Sequence, residues 1–297
     1  LAQKGFLNRI VNSFKRFEAD ELSHTRLRLT LPDGRIFETT TDSKGYYIID
    51  EQVENLASLA NEEGFVFYEI EYANPPSTAL INFNNRFPGE ILIPSKEIDF
   101  GVASDIDDTI LHTGVTSRLK WKLLANTLFK RAEQRSPLKG ASEFYHMLHR
   151  GATGKEANPI FYVSHSPWNL YRYLEHFLQK NKFPKGPILL RDLSSMFEKK
   201  VDEKPQKQKE IVQLLNMYPE LPFILIGDSG EHDADIYIEI AEAFPKRIKA
   251  IYLRSVKHKK RMMRIRGLIE NYKTTPVLLV ESSQQAIEHA REQKFIV

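Results

Sequence analysis

The sequence predicts a small all-β sandwich domain followed by a larger α/β domain whose parallel sheet is covered by helices on both faces. Short alternating segments separated by turn residues occupy about residues 20–97. After Pro94, apolar runs of strand length alternate with amphipathic helical patterns. Alternation is typical of strands with one solvated face, whereas continuous apolar runs between helices are typical of a buried parallel sheet. The length of 297 residues also exceeds that of one typical domain.

The first 97 residues change pattern once, from helical to extended. Residues 1–19 space Phe6, Ile10, Phe14 and Phe17 at three- to four-residue intervals, which predicts an amphipathic helix. Turn residues such as Pro32-Asp33-Gly34 then separate short extended segments over residues 20–97. The predicted strands are Thr25–Thr30, Ile36–Thr40, Tyr46–Ile49, Phe65–Tyr72 and Glu90–Ile93.

Residues 98–297 form the predicted α/β domain. Its predicted strands are Ile98–Ile106, Ile160–Val163, Ile188–Leu190, Phe223–Ile226, Ile248–Leu253 and Val277–Val280. Its predicted helices are Trp121–Glu133, Ser142–His149, Trp168–Lys180, Gln206–Met217 and Ala234–Phe244. In such sheets, ligands bind at the carboxyl ends of the strands.

Composition excludes several classes of site. The absence of cysteine excludes a disulfide framework, a zinc-thiolate site and a cysteine nucleophile. No apolar run approaches the roughly 18 residues that a membrane-spanning helix needs. Because the sequence opens at Leu1 rather than at Met, we expect a processed or shortened chain. We therefore expect a protein that is cytoplasmic or peripheral to a membrane.

Basic residues are concentrated in two stretches. Ten lie between Ala243 and Ile269 without an acidic residue, and seven lie between Arg118 and Lys139 with only Glu133 to oppose them. Such runs are typical either of a solvated helix face or of a surface that attracts anions such as phosphates, acidic lipids or nucleic acid. The run beyond Ala243 lacks interleaved aromatic residues and no nucleic-acid motif is present, so nucleic-acid binding is not expected.

Polar residues follow three of the predicted strands where each one ends. Asp105-Ile106-Asp107-Asp108-Thr109, Ser164-His165-Ser166 and Gly227-Asp228 occupy these positions. Clustered carboxylates repel one another, and a divalent cation relieves that cost. An all-oxygen set that includes Asp105 and Asp228 suits Mg²⁺ better than zinc. A lone D-x-D would more often be a helix cap or an acidic turn, but the second acidic cluster favours a metal site.

These strings resemble a known family. Asp105-Ile106-Asp107-Asp108-Thr109 matches the D-x-D-x-T signature of the haloacid dehalogenase-like superfamily, whose domain has a Rossmannoid parallel sheet. Phe161-Tyr162-Val163-Ser164-His165-Ser166-Pro167-Trp168-Asn169-Leu170 and Gly227-Asp228-Ser229-Gly230-Glu231-His232-Asp233 resemble the actin-patch-protein phosphatidate phosphatase family more specifically. The likeness covers roughly residues 98–256.

The resemblance implies a role for each motif residue. Asp105 would be the nucleophile that forms an aspartyl-phosphate, and Asp107 would protonate the leaving oxygen and then activate water. Asp105, Asp107 and Asp228 would hold Mg²⁺, and Asp233 would belong to the metal site by supporting it or by binding the ion through water. Alternatively, Asp233 could be only a first-turn acid of the next helix. Ser164 would bind a phosphoryl oxygen. Ser166 before Pro167 is typical of a helix N-cap, and we interpret it as structural.

A cation is also required beside the phosphoryl group. Lys204, Lys207 and Lys209 are candidates, and the position equivalent to the family's lysine is Lys207. Arg191 is a further candidate for binding substrate phosphate at a third strand end. The remaining predicted substrate-binding residues are Thr109, after the nucleophile strand, and Arg118, in a small cap over about residues 110–140 that would choose the substrate.

The leading hypothesis is a Mg²⁺-dependent phosphatase of lipid metabolism that hydrolyses phosphatidate to diacylglycerol and phosphate, with peripheral membrane contact. The reaction type depends on the motif residues and the substrate on the family resemblance. One alternative keeps the chemistry but takes a soluble phosphomonoester. A second makes the chain a phosphate-binding module without turnover, although the nucleophile, acid and lysine types are all present.

Overall fold

A computed structural model describes residues 22–74, 83–106, 109–110, 139–191, 204–229, 232–256 and 259–297. The chain divides into two compact units, Leu1–Lys96 and Glu97–Val297, one residue before the predicted boundary. The predicted N-terminal helix over residues 1–19 lies outside the described residues. The same holds for the predicted cap over 110–140, apart from residues 110, 139 and 140.

The smaller unit is an antiparallel sheet of four strands in the order β2-β1-β3-β4. Leu27, Leu29 and Leu31 are buried, while Arg26 and Arg28 point outward, as the alternating sequence predicts. The all-β character of this unit is therefore confirmed. The strands are β1 (Arg26–Thr30), β2 (Ile36–Thr40), β3 (Phe65–Tyr72) and β4 (Phe87–Leu92).

The predicted strand Tyr46–Ile49 is wrong. The side chain of Asp42 accepts hydrogen bonds from the amides of Lys44 (2.8 Å) and Tyr46 (2.9 Å), which keeps the Tyr46 amide in a turn instead of a ladder. In the described residues this unit therefore has one sheet. The layer that a second sheet would provide comes from a segment without strands that includes a short 3₁₀ helix, Leu56–Leu59. The segment packs on Leu29 and Val66 with the side chains of Ile49, Val53, Leu56 and Leu59.

The larger unit contains a parallel sheet of six strands in the order β10-β9-β8-β5-β6-β7. The predicted Rossmannoid arrangement is thus confirmed. Strands β5 and β8 are buried along their whole length, which explains why apolar and small residues fill both strands up to the polar residues at their carboxyl ends. The strands are β5 (Gly101–Asp105), β6 (Ile160–Pro167), β7 (Ile188–Arg191), β8 (Phe223–Asp228), β9 (Ile248–Arg254) and β10 (Val277–Val280).

Helices cover both faces of this sheet. Helices α1, α2 and α6 share one core with Ile224 and Ile226 of β8. Gly227, one residue further along β8, faces Tyr237 of α4 on the opposite side, where α3 and α4 pack together. The helices are α1 (Ala141–Arg150), α2 (Tyr171–Lys180), α3 (Gln206–Met217), α4 (Asp233–Ala243), α5 (Lys259–Asn271) and α6 (Ser283–Glu292).

Strand order decides where the motif residues meet. Strand β5 lies between β8 and β6, with Ser104 paired to Ile226 and Asp105 paired to Val163. The carboxyl ends of β5, β6 and β8 therefore adjoin at one edge of the sheet, which we call the carboxyl edge. In the part of the chain that the structure describes, no helix is both long and apolar enough to cross a bilayer.

Candidate active site

The carboxyl edge brings most of the predicted site residues together. Asp105 is the last residue of β5, Asp228 the last of β8 and Arg191 the last of β7, while Ser164 lies in the second half of β6. Asp105, Asp228 and Ser164 are buried and Arg191 is half-buried. The fold thus gathers residues that are up to 123 positions apart in the sequence, from Asp105 to Asp228.

Lys207 connects two carboxylates at this edge. Its ammonium Nζ lies 3.0 Å from Asp105 Oδ1 and 2.5 Å from Asp233 Oδ1, and all three side chains are 1% exposed. Lys204, by contrast, is exposed and pairs with Glu239, and Lys209 is half-buried. Of the three candidate lysines, the structure therefore places Lys207 in contact with Asp105.

Asp233 uses both of its carboxylate oxygens inside the cluster. Oδ1 contacts Lys207, and Oδ2 accepts a hydrogen bond from the Asp228 amide at 3.2 Å. The close approach depends on Gly227, because a Cβ atom there would lie 2.4 Å from Asp233 Oδ2 and 2.7 Å from Tyr237 Cε2. Glycine before Asp228 therefore lets the first residue of α4 reach the strand end and hold Lys207.

The nucleophile candidate is also held from the other side. Thr109 is buried, and its hydroxyl donates to Asp105 Oδ2 at 3.3 Å. Ser104 precedes Asp105 in β5, and its Oγ donates to the Asp105 carbonyl oxygen at 2.9 Å. The same Oγ shares a 2.5 Å hydrogen bond with the hydroxyl of Tyr145. Burial raises the pKa of Tyr145 well above its usual range, so this hydroxyl stays protonated at neutral pH.

The prediction that Ser166 is a helix N-cap is wrong. Strand β6 continues to Pro167, which itself precedes a short 3₁₀ helix, Trp168–Leu170. The Ser166 amide donates to Ser164 Oγ at 3.0 Å, a local bond that holds the Ser164 hydroxyl at the strand end. Ser166 Oγ is buried and has no hydrogen-bond partner among the described residues.

Two predicted site residues cannot be placed in this geometry. Asp107, the predicted acid and base, and Arg118, the predicted cap residue, lie outside the described residues. Arg191 is at the carboxyl edge, where it pairs in register with Pro167 of β6. Its role in binding phosphate stays a prediction, as do the substrate role of Thr109 and the metal-binding role of Asp107.

Carboxylates outnumber ammonium groups among the described residues of this cluster. Asp105, Asp228 and Asp233 lie here with Lys207, and each of the four residues is 1% exposed. Burying an excess of like charge is costly unless a cation offsets it. Carboxylate oxygens of the kind that Asp105 and Asp228 carry are hard ligands of the type that Mg²⁺ prefers. Both oxygens of Asp105 contact protein groups, Lys207 and Thr109, and both oxygens of Asp233 contact Lys207 and the Asp228 amide. Among the described residues, no group of three or more acidic, histidine or cysteine side chains is arranged to hold a metal.

A cavity of about 240 Å³ lies beside Thr109, between the carboxyl edge and the helices α1 and α6. Its lining is largely apolar, with Phe144, Tyr145 and Tyr252 on its walls and Arg254 at the end of β9. Space of this kind can take an apolar group attached to a phosphate at the edge.

Sequence reasoning missed several residues that build this site. Tyr145 and Ser104 carry no motif, and their pairing requires knowledge of how α1 packs on β5. Tyr237, whose buried hydroxyl donates to the Ile226 carbonyl at 3.1 Å, is equally invisible in the sequence. Gly227 did have a signal, since a glycine next to a motif aspartate often marks a close approach of two elements.

Comparison with known proteins agrees with this arrangement. Residues 100–255 match the family described as "Phosphatidate phosphatase APP1, catalytic domain". Phosphatidate phosphatase APP1 of Saccharomyces cerevisiae is 34% identical over 224 residues, which cover 75% of this chain and 35% of that protein. An uncharacterized protein of Schizosaccharomyces pombe is 27% identical over 222 residues, which cover 74% and 34% of the two chains.

The chain thus spans about a third of the length of the curated relatives it matches. The matched segment begins at Phe100, just before β5, and ends at Ser255, just after β9, so it contains every described residue of the cluster. The resemblance that the D-x-D-x-T and strand-end motifs predicted is confirmed. The chain belongs to the family of phosphatidate phosphatase APP1 catalytic domains.

Proposed function

We propose that this chain is a phosphoric monoester hydrolase that converts phosphatidate to diacylglycerol and phosphate. The observation that carries the proposal is the buried contact of Lys207 with Asp105 at the carboxyl edge, inside the segment that matches the family. A carboxylate beside a fixed ammonium group is the arrangement that nucleophilic attack on a phosphoryl group requires. The substrate is transferred from the name of the Saccharomyces cerevisiae relative.

In the proposed reaction, a carboxylate oxygen of Asp105 attacks phosphorus and the bond from phosphorus to the ester oxygen breaks. Asp107 gives its proton to the leaving oxygen, which departs as the alcohol. Asp107 then takes a proton from water, the water oxygen attacks phosphorus, and the bond to Asp105 breaks to release phosphate. Lys207 offsets negative charge on Asp105 and on the phosphoryl oxygens, while the Ser164 hydroxyl binds one of them.

Magnesium is part of the proposal because the carboxylates of Asp105 and Asp228 are hard oxygen ligands. Asp105 and Asp228 would hold the ion with Asp107, and Asp233 would support the site by fixing Lys207 and the Asp228 amide. When bound, Mg²⁺ would stabilise charge on the transferring phosphoryl group. The excess of buried carboxylates supports a cation at this position.

Metal binding is tested without turnover by thermal unfolding of the full chain with and without Mg²⁺. A ligand that binds only the folded state raises the unfolding midpoint, by a free energy of about 2.7 kcal/mol at 100 times its dissociation constant. We expect this stabilisation in wild type and its loss in Asp228→Asn. Asp235→Asn serves as the control, because Asp235 lies on α4 but pairs with Arg264. Equal stabilisation of wild type and Asp228→Asn would reject the metal site.

The reaction is tested by phosphate release with Mg²⁺ from phosphatidate in mixed micelles and from a panel of soluble phosphomonoesters. Wild type runs beside Asp105→Asn and Asp107→Asn, and we expect phosphatidate turnover that both substitutions abolish. Turnover of soluble esters alone would keep the mechanism and replace the lipid by a soluble substrate. Absence of turnover in folded protein that binds Mg²⁺ would favour the phosphate-binding module.

A further inference from the structure

We propose that the outward face of helix α5 is a docking surface for an anionic lipid bilayer. The face consists of Lys259, Lys260, Met263 and Arg266, and we call it the basic face. It deepens the proposed function, since a phosphatase acting on a membrane lipid must reach its substrate, and to that extent it rests on that function. The binding itself is measured without turnover.

The composition of the basic face suits an anionic bilayer. Helix α5 has five basic residues against one acidic residue, Glu270, which lies in its last turn. Lys259, Lys260, Met263 and Arg266 are all exposed, and the exposed fraction of Met263 reaches 67%. At 100° per residue these four side chains fall on one side of the helix, opposite the buried Ile265. An exposed apolar side chain among cations is typical of interfacial helices.

The cations of the basic face differ from the neighbouring Arg264 in their pairing. Arg264 pairs with Asp235 of α4 at 2.5 Å and so holds α5 against the domain. Within the described residues, no ion pair is formed by Lys259, Lys260 or Arg266. A helix that only needed solvation would gain from acidic neighbours three or four positions away, and the first two turns of α5 contain none.

The basic face begins close to the carboxyl edge. Helix α5 follows β9, so its first turn lies near the carboxyl edge. Met262 Sδ lies 3.2 Å from Ser255 Oγ and 3.7 Å from Ser229 Oγ. Ser229 directly follows Asp228, and its hydroxyl donates to the Arg254 carbonyl at 2.6 Å. The start of the basic face is thus fixed relative to the candidate metal ligand, and docking would present the carboxyl edge to the bilayer.

A bilayer fits this face better than a nucleic acid does. Lysine and methionine have long flexible side chains that follow a fluid interface, with the charge at the headgroups and the apolar stem below. Helix α5 contains no aromatic residue that could stack on a base. Each lysine or arginine near an anionic membrane adds to binding independently of the exact headgroup.

The test is sedimentation of the full chain with mixed phosphatidylserine–phosphatidylcholine vesicles, against vesicles of phosphatidylcholine alone. The test variant carries Lys259→Gln, Lys260→Gln and Arg266→Gln. Because each cation contributes about one kcal/mol at an anionic surface, we expect roughly 100-fold weaker binding than wild type. Wild-type binding should also weaken as salt is raised, since screening acts on exposed charges.

The matched control removes the same charge from elsewhere on the unit, through Lys155→Gln, Lys180→Gln and Lys185→Gln. Lys155 precedes β6, Lys180 ends α2 and Lys185 precedes β7, so they lie towards the edge opposite the carboxyl edge. We expect this variant to bind as wild type does. Circular dichroism confirms that both variants are folded.

Four results would overturn the proposal. The first is that wild type does not bind anionic vesicles, and the second is that wild type and the α5 variant bind them equally. The third is an equal loss of binding in both variants, which would indicate a general charge effect. The fourth is binding of a DNA duplex through the same three residues as tightly as vesicles at the same salt concentration. None of these measurements requires phosphatase activity, so a failure of the docking proposal can be distinguished from a failure of the proposed function.

Discussion

Two groups of ionic side chains in this molecule are built from the same chemistry and differ in burial. On the outer face of the small sheet, Arg28 pairs across the strands with Glu38 (3.4 Å) and Glu71 (3.1 Å), and these side chains are 34–44% exposed. At the carboxyl edge of the parallel sheet, Lys207 contacts Asp105 and Asp233, all 1% exposed. Exposed pairs are solvated whether they form or not, whereas buried ones have lost their water.

The two groups also differ in how costly their charges are to keep. On the outer face of the small sheet, Arg26 pairs with Glu38, and Arg28 pairs with Glu38 and Glu71, so each of these exposed charges has an opposite partner. Among the described residues, the buried cluster holds the carboxylates of Asp105, Asp228 and Asp233 and the ammonium group of Lys207. Replacing buried ionic groups by apolar ones is often neutral or stabilising, so a buried ionic cluster indicates chemistry more than stability.

The comparison is tested most strongly at Lys207. In Lys207→Met the two contacting carboxylates lose their ammonium partner, and we expect the free energy of unfolding to fall by roughly 3 kcal/mol. Phosphatase turnover should fall roughly 100- to 1000-fold, since a charge that stabilises the transition state is removed. Urea unfolding followed by tryptophan fluorescence reports on the larger unit, because Trp121 and Trp168 are the chain's two tryptophans.

Lys209→Met is the matched control for that substitution. Lys209 lies two residues further along the same helix and is half-buried, and the sequence offers it as an alternative to Lys207. We expect little change in turnover and a loss of stability below about 1 kcal/mol. A larger loss of turnover in Lys209→Met than in Lys207→Met would exchange the roles of the two lysines.

A smaller effect is expected at Asp233, which positions Lys207. In Asp233→Asn a single amide oxygen replaces the two carboxylate oxygens that contact Lys207 and the Asp228 amide. Because a hydrogen bond to a charged group is lost, we expect the free energy of unfolding to fall by about 2 kcal/mol. The turnover number should fall while KM for the substrate changes little, because the residue acts through Lys207.

Asp235→Asn provides the comparison on the same helix. Asp235 also lies in the first turn of α4, but its side chain is 38% exposed and pairs with Arg264. We expect a loss of at most about 1 kcal/mol and unchanged turnover of a soluble ester. Equal effects of the two substitutions on turnover would mean that Asp233 has only a local structural role at the helix start.

Much of this architecture follows from periodicity. The bounds of α3 and β10 agree with their predicted ranges, because both are strongly patterned and end at turn residues. Helix α5 was not predicted as a helix, because its basic residues make the apolar repeat difficult to recognise. Ile265 is the residue of that repeat that is buried. Strand-end motifs located Asp105 and Asp228, but no local pattern shows that α4 reaches back to hold Lys207.

The contacts that sequence reasoning could not predict are tertiary. Strand order β8-β5-β6 places Asp105 between two neighbours, and this order is not encoded in any one segment. From periodicity alone, the choice between Lys207 and Lys209 depends on the rotation of α3 about its axis, and Lys204 precedes that helix. It was the family resemblance that selected Lys207. The correction at Ser166 has a similar cause, since β6 continues past the predicted strand end to Pro167.

The smallest effect is expected at Arg28, in the exposed group of ion pairs. Arg28→Gln removes both cross-strand ion pairs of this residue, yet we expect the sheet to lose no more than about 1 kcal/mol. Added salt should reduce this difference, because ions screen exposed charges. Hydrogen exchange of the β1 amides at low and high salt measures the effect within the small unit. A loss as large as that in Lys207→Met, unaffected by salt, would contradict the view that burial rather than ion pairing separates the two groups.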